Sequence, residues 1–205
     1  EELGFDSYWL PEHAAIPEGS GDVYPGKVEG GSAPDYLYKM PDPLIGLTRA
    51  AAVTSTINLG TGVALVPERH PVLAAKEIAS LDHYSKGRFI YGIGAGWNRE
   101  EMENHDADFH NRWKIVREKV LAMKAIWQNE AAEFHGEFVD FSTVTCSPRP
   151  VQSTIPILVG GDSDVAIRRA ARLADGYFPG EGDADRLASL ITRVRQAAED
   201  AGRDP

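Results

Sequence analysis

The stretch from Arg88 to Glu101, RFIYGIGAGWNREE, places an apolar strand before a glycine-rich turn and the start of a helix. Glycines leave the backbone bare where the strand ends, so a flat ring or a phosphate can approach it closely. Asn98 is a favoured N-cap residue for the short acidic helix behind the turn. The sequence therefore predicts binding chemistry at the carboxyl end of this strand, from Gly94, Gly96, Trp97 and Asn98.

A second glycine-rich turn, GGDS, joins an apolar strand to a helix that runs to Leu173. Backbone amides at a helix start, together with the helix dipole, attract an anion such as phosphate. A Gly-Gly pair also occurs where a turn between strand and helix is simply tight. We predict that a phosphate group binds here, held mostly by the backbone of Gly160, Gly161, Asp162 and Ser163.

Metal and hydrolase chemistry have little support among the residues. No H-E-x-x-H or cysteine-rich spacing accompanies the histidines His70, His83, His105, His110 and His135. The G-x-S-x-G turn of a serine hydrolase is also missing from the sequence. The spacing G-x-G-x-G at 92–96 differs from the G-x-G-x-x-G of dinucleotide folds. We therefore expect no metal site, and the pattern disfavours a dinucleotide fold.

Composition and charge limit the classes of binding partner and the cellular compartment that the sequence allows. The 205 residues carry a formal net charge of −10, and such an acidic surface repels nucleic acids and anionic membranes. No apolar run approaches the roughly 20 residues of a membrane-spanning helix, and no signal-peptide pattern opens the chain. The single cysteine, Cys146, excludes an internal disulfide framework and is typical of a reducing compartment. These features predict a cytoplasmic protein that binds neither nucleic acid nor membrane.

Strand and helix patterns alternate along the chain in five units. The predicted strands include Ile57–Leu65, and predicted helices begin at Asp42-Pro43 and His70-Pro71, where an N-cap precedes proline. The stretch 133–147 interrupts the alternation and predicts a hairpin insertion. The alternation predicts a parallel α/β sheet covered by helices, which is either a closed barrel or an open doubly wound sheet.

A family resemblance is carried by three segments in order: GTGVALVPERHPVLAAKEIASLDHYSKGRF, GIGAGWNREE and PILVGGDSDVAIRRAARLADGYFP. Together they resemble the luciferase-like monooxygenases, particularly the oxidoreductase branch that uses the deazaflavin F420. The resemblance implies a (β/α)8 TIM barrel with its chemistry at the carboxyl ends of the strands. It also implies that residues 1–205 form a single domain, truncated at both ends, that covers about strands 2 to 6 of the barrel. The family commonly forms homodimers through its barrel helices.

The same resemblance assigns roles to individual residues. His13 matches a histidine near the reactive face of the flavin, where an imidazole can pass a proton to or from substrate; the alternative is a loop histidine bonded to backbone. Gly62 and Val63 match a non-proline cis peptide beneath the ring. Trp97 would wall the ring pocket or pack at the barrel rim, and Asn98 would bond the cofactor. Because some F420-dependent dehydrogenases carry a glutamate proton donor where Trp97 stands, this departure argues against a sugar-phosphate dehydrogenase.

The function implied by the resemblance is hydride transfer between F420 and a small organic substrate. One alternative is an FMN-dependent monooxygenase that uses reduced flavin and oxygen. A second alternative, from a different class, is a non-catalytic module for flavin binding or dimerisation, which an incomplete barrel would favour.

Overall fold

The strands of the main sheet are all parallel, and their order in the sheet follows the sequence. The computed structural model describes residues 1–20, 24, 34–161, 163–180 and 183–204. Within these residues the sheet contains β1 Ser7–Leu10, β2 Asn58–Thr61, β3 Ala64–Leu65, β4 Phe89–Gly94, β7 Ile157–Gly160 and β8 Gly176–Phe178. The strand order is β1-β2-β4-β7-β8, and β3 pairs with β4. An order that never reverses is that of a barrel wall, because a doubly wound sheet changes direction at a switch point. The prediction of an incomplete (β/α)8 barrel is confirmed.

The predicted strand Ile57–Leu65 is interrupted in the structure, which corrects the prediction. β2 pairs with β1 from Ser7 opposite Asn58 to Leu10 opposite Thr61. The chain then leaves the ladder at the Gly62–Val63 bond, which is cis as the resemblance implies. Pairing resumes when β3 aligns Ala64 with Ile93 of β4.

The described residues contain six helices: α1 Pro43–Val53, α2 Pro71–Ser85, α3 Arg99–Glu103, α4 Arg112–Gln128, α5 Asp164–Leu173 and α6 Ala184–Asp200. The short α3 lies at the carboxyl end of the sheet, where Glu101 contacts His13. Four helix starts carry a side chain that accepts a backbone N–H three residues on: Asp42, Asn98, Ser163 and Asp183. Such caps satisfy amides that the helix itself leaves without partners. At its other end α2 stops at Lys86, which has φ 59°. These local signals account for the agreement between the predicted and observed helix boundaries.

The core lies between the helices and the sheet. Val116, Val120 and Met123 of α4 are buried, as their spacing on one helix face requires. The Trp127 indole N–H of the same helix donates to the Ala75 carbonyl over 2.9 Å, which fixes α4 against α2. In the described part of the chain, no helix is long and apolar enough to cross a membrane.

An antiparallel hairpin follows α4, at the place where the sequence predicts one. It consists of β5 Ala132–His135 and β6 Asp140–Val144. The Glu118 carboxylate of α4 accepts the backbone N–H groups of Glu137, Phe138 and Val139 at 3.1, 2.7 and 3.0 Å. These bonds lower the pKa of the Glu118 carboxyl despite its partial desolvation. The hairpin is therefore attached to the outer helix layer and lies outside the main sheet.

Candidate functional site

The carboxyl ends of β4 and β7 meet at the side chain of Val63, the residue that directly precedes β3. A Cβ atom built on Gly94 would lie 2.8 Å from Val63 Cγ2, and one on Gly160 would lie 3.0 Å from Val63 Cγ1. The two glycines thus leave room for the side chain of Val63. The side chain of Val63 therefore forms an apolar surface at the carboxyl ends of β4 and β7, which we call the floor.

Below this floor the interior of the wall is filled. A Cβ on Gly60 would lie 2.2 Å from the Trp9 ring, and one on Gly62 would lie 2.8 Å from Phe178 Cζ. The Trp9 and Phe178 rings pack with their centroids 5.2 Å apart. These side chains fill the inner side of the sheet between β1 and β8, and in barrels of this class ligands bind at the carboxyl ends of the strands.

His13 follows β1 and is held at both of its ring nitrogens. Its Nδ1 lies 2.6 Å from Glu101 Oε2, and its Nε2 accepts the Trp97 indole N–H over 3.2 Å. An indole N–H only donates, so Nε2 must be the unprotonated nitrogen and Nδ1 must carry the proton that Glu101 accepts. Glu101 has a side chain only 1% exposed, and that of His13 is 8% exposed. The alternative that His13 is a loop histidine bonded to backbone does not describe these contacts.

The turn that carries Trp97 and Asn98 is fixed from inside. Gly96 has φ +78°, a conformation that strains residues with a side chain. The buried Asn98 accepts the Glu101 N–H over 3.1 Å and donates from its amide to Ser20 Oγ over 2.8 Å. The predicted N-cap role of Asn98 is confirmed, and both of its amide atoms are engaged by the protein. A cofactor bond from Asn98 stays a prediction, for which the amide keeps a second N–H and a second lone pair.

Glu12 and Arg69 connect the segments that follow β1 and β3, and neither residue was predicted from the sequence. Glu12 is buried and accepts the Leu65 N–H over 2.6 Å, which joins the end of β1 to β3. It also accepts from the Arg69 guanidinium, whose Nε lies 2.8 Å from Glu12 Oε1. Arg69 reaches Asp42 over 2.5 Å and Glu77 over 3.4 Å. Glu12 and Asp42 raise the pKa of the Arg69 guanidinium, although burial opposes the effect.

The second glycine-rich turn lies beside the floor. The Ser163 hydroxyl accepts the Ala166 N–H over 3.2 Å and caps α5. Gly161 has φ +118°, and its carbonyl accepts the Tyr177 hydroxyl. Asp162 lies outside the described residues. Gly160 takes part in the floor as well as in this turn, so the predicted phosphate position and the floor are adjacent.

The structure therefore brings most of the predicted residues to one end of the wall. Val63, Gly94 and Gly160 share the floor, and the Glu12 bond to Leu65 places the end of β1, with His13, beside β3. Glu101 was noticed in the sequence only as part of an acidic helix. In the described ranges, no group of three or more histidine, cysteine, aspartate or glutamate side chains is arranged to hold a metal ion.

Comparisons with known proteins identify relatives over the whole chain. An uncharacterized protein of Mycobacterium tuberculosis, Rv0953c, is 39% identical over 207 residues, which span 100% of this chain and 72% of the relative. An F420-dependent glucose-6-phosphate dehydrogenase of Nakamurella multipartita is 31% identical over 208 residues, 99% of this chain and 56% of the relative.

A solved structure shares the same fold. The monooxygenase RslO1 from Streptomyces bottropensis matches with a TM-score of 0.79 and 27% identity, over 100% of this chain and 58% of that protein. The chain thus spans little more than half of RslO1. The family model described as luciferase-like monooxygenase matches residues 1–205. The fold, the residues at the strand ends and this match agree, and the chain belongs to the luciferase-like monooxygenase family.

Proposed function

We propose that this protein is an oxidoreductase that uses F420 to exchange hydride with a small organic substrate, with His13 transferring the proton. One observation carries the proposal. His13 stands at the end of β1 with its Nδ1–H on the buried Glu101 and its Nε2 towards Trp97. An imidazole backed by a carboxylate is suited to accept a proton at its other nitrogen.

The residues at the mouth of the wall suit a flat tricyclic ring with a phosphate attached. Val63 offers an apolar floor, and the backbone at Gly160, Gly161 and Ser163 precedes the N-terminus of α5. A helix N-terminus of this kind attracts phosphate. When bound, F420 supplies the hydride acceptor or donor, and the protein supplies orientation and proton transfer. The Nakamurella relative, named as F420-dependent, supports this choice of cofactor.

His13 must lose one contact before it acts. Because the Trp97 indole N–H already occupies Nε2, a substrate hydroxyl gains access only when the indole moves aside. The proton that arrives at Nε2 makes an imidazolium, and the hydrogen bond from Nδ1–H to Glu101 stabilises that charge. In the reverse direction the imidazolium returns the proton to the alkoxide oxygen. Trp97 therefore covers the proton acceptor when substrate is not engaged.

Cofactor titrations test the proposal. Purified protein is titrated with F420 and, separately, with FMN, and binding is followed by calorimetry. We expect F420 to bind at least about tenfold more tightly, a difference of about 1.4 kcal/mol. Preferential FMN binding would overturn the choice of F420. A His13→Ala variant should retain F420 binding and lose turnover on a panel of alcohols. His83→Ala, which alters an exposed histidine on α2, is the matched control and should retain both.

A monooxygenase that uses reduced FMN is the second candidate. The name of RslO1, a monooxygenase, supports the oxygenase reaction and does not name the cofactor. Oxygen consumption with reduced FMN distinguishes it from the first. Binding of either cofactor without turnover on any substrate would support the non-catalytic module instead.

We also propose a cytoplasmic homodimer that forms through the outer helices. Large apolar side chains project from α1 and α2, where Ile45, Leu73 and Tyr84 are 73%, 57% and 66% exposed. Patches of this kind commonly mark protein interfaces. Sedimentation equilibrium measures the assembly state, and a monomer at micromolar concentration would contradict the homodimer.

A further inference from the structure

Glu68 is a buried carboxyl group that has no hydrogen-bond partner among the described residues. Its side chain is 3% exposed, and neither carboxyl oxygen has a partner. The residue ends the 3-10 turn Val66–Glu68 that follows β3. A buried polar group without a partner destabilises the fold, so its presence calls for a role other than stability.

The position of Glu68 links the candidate site to the surface. On one side, a Cβ built on Gly96 would lie 3.7 Å from Glu68 Oε1, so the carboxyl group lies under the turn that carries Trp97. On the other side, His105 Nε2 lies 4.0 Å from Glu68 Oε2. The His105 side chain is 32% exposed, so it can exchange protons with solvent. Glu68 thus lies between a solvent-accessible imidazole and the elements that hold His13.

The charged groups that act on Glu68 lie on α3, after β1, next to Glu68 in the chain and on α4. Burial raises the pKa of Glu68 to about 8, and the charges of Glu101 and Glu12 add to this effect, whereas Arg69 and Lys119 oppose it. Among these groups Glu101 is the strongest in its electrostatic influence. Since Glu101 is also the acceptor for His13 Nδ1–H, the proton on Glu68 and the charge of the His13–Glu101 pair must influence each other.

We propose that Glu68 is a positioning residue that sets the charge of the His13–Glu101 pair, with His105 as its route for proton exchange. While Glu68 is neutral, Glu101 is the nearby carboxylate that orients His13. When Glu68 gives its proton to His105 Nε2, and from there to solvent, the new carboxylate increases the proton affinity of the pair. A proton taken by His13 is then balanced by the proton released from Glu68.

This inference rests on the proposed function for its consequence in turnover, but its test needs no cofactor. Infrared spectra of the cofactor-free protein at pH 7 should contain the carbonyl band of a protonated carboxylic acid, which Glu68→Gln removes. Nitrogen NMR of the histidine rings, with His13 assigned from a His13→Gln variant, should show a second step in the His13 signal near the ionisation of Glu68. Glu68→Gln should abolish that step, and Glu68→Asp should restore it.

Glu103→Gln is the matched control, since it makes the same change on the exposed side of α3. It should leave both the infrared band and the NMR step in place. Circular dichroism checks that each variant is folded, and Glu68→Asp tests the coupling if Glu68→Gln does not fold. If Glu68→Gln keeps both signals, or if Glu103→Gln has the same effects as Glu68→Gln, the inference is wrong. Failure to bind F420 would instead overturn the proposed function and leave these signals unaffected.

In turnover, the pH profile of kcat/KM for alcohol oxidation should show an inflection that Glu68→Gln lacks and Glu68→Asp retains. A purely structural role for Glu68 would lower kcat/KM at all pH values without removing the inflection.

Discussion

The Trp97 indole N–H donates to His13 Nε2 over 3.2 Å, and this one contact fixes the tautomer of the histidine. Because the donor cannot become an acceptor, a doubly protonated His13 would place two N–H groups against each other. The contact therefore favours the neutral imidazole and must break when His13 becomes charged. Trp97 is thereby coupled to the protonation state of the group that we expect to exchange protons with substrate.

Replacement of Trp97 by phenylalanine should increase the protonated fraction of His13 at a given pH. The variant keeps an aromatic ring and removes a hydrogen bond that can be made only to the neutral imidazole, and such a bond is worth about 1 kcal/mol. Histidine NMR as a function of pH measures the change. Trp113→Phe is the control, because Trp113 packs under Arg169 on the outer face, 4.0 Å from the guanidinium carbon to the ring centroid. An unchanged His13 titration in Trp97→Phe would contradict the assigned tautomer.

The sequence predicts structural features that depend on residues close to one another in the chain. The helix start at Asp42-Pro43 is confirmed because a cap acts on amides two or three residues away. The parallel sheet is confirmed because alternating strands and helices allow few other arrangements, whereas the choice of a barrel depends on the family resemblance. The family resemblance, together with the position at a strand end, predicts a role for His13, and that role stays a prediction.

Contacts between residues far apart in the chain could not be predicted from the sequence. Glu101 is 88 residues from His13, and Leu65 is 53 residues from Glu12. No spacing rule connects residues so far apart. The contact of Gly94 with Val63 could not be predicted either, since a bare strand end does not reveal that the side chain of Val63 will lie against it. A glycine shows that something approaches closely, but not whether it is ligand or protein.

Glu101→Gln should lower kcat/KM by about a hundredfold and leave F420 binding nearly unchanged. The amide preserves shape and an acceptor oxygen but removes the charge that stabilises a protonated His13, and positioned acid-base groups contribute at least about this much. Steady-state kinetics together with F420 titration separate the two effects. Glu103→Gln, an exposed neighbour on α3, serves as the control and should behave like the native protein. If the two variants had equal activity, the His13–Glu101 pair would not be part of the reaction.

Gly94→Ala should destabilise the protein, and a second substitution, Val63→Ala, should restore part of the loss. The new Cβ would lie 2.8 Å from Val63 Cγ2, closer than packed carbons tolerate. Overpacking of this kind costs about 1 to 3 kcal/mol. A double-mutant cycle by urea unfolding measures the coupling between the two positions. Gly4→Ala is a poor control because Gly4 has φ +79°, so the Val63→Ala single variant supplies the reference. Strict additivity would show that Val63 does not occupy the space over Gly94.

Glu68→Gln should stabilise the protein progressively as pH rises from about 5 to 8. Burial raises the pKa of Glu68 from 4.5 to about 8, so the folded state binds a proton that the unfolded state has released in this window. The free energy of unfolding of the native protein therefore decreases through the window and levels off above it. Glutamine has no such proton, so its advantage grows over the same range. One pKa unit corresponds to about 1.4 kcal/mol, and relaxation of the buried site should reduce the whole effect to about 2 to 4 kcal/mol.

Chemical unfolding of the native protein, Glu68→Gln and Glu103→Gln at several pH values measures this difference. The Glu103→Gln curve should run parallel to the native one, because that side chain is 57% exposed. The Glu68→Gln curve should diverge from both as pH rises, because only this variant lacks the carboxyl group that must lose its proton in a buried site. A constant offset between Glu68→Gln and the native protein would mean that Glu68 titrates alike in the folded and unfolded states. The buried carboxyl could then not act as the proton-holding group behind His13.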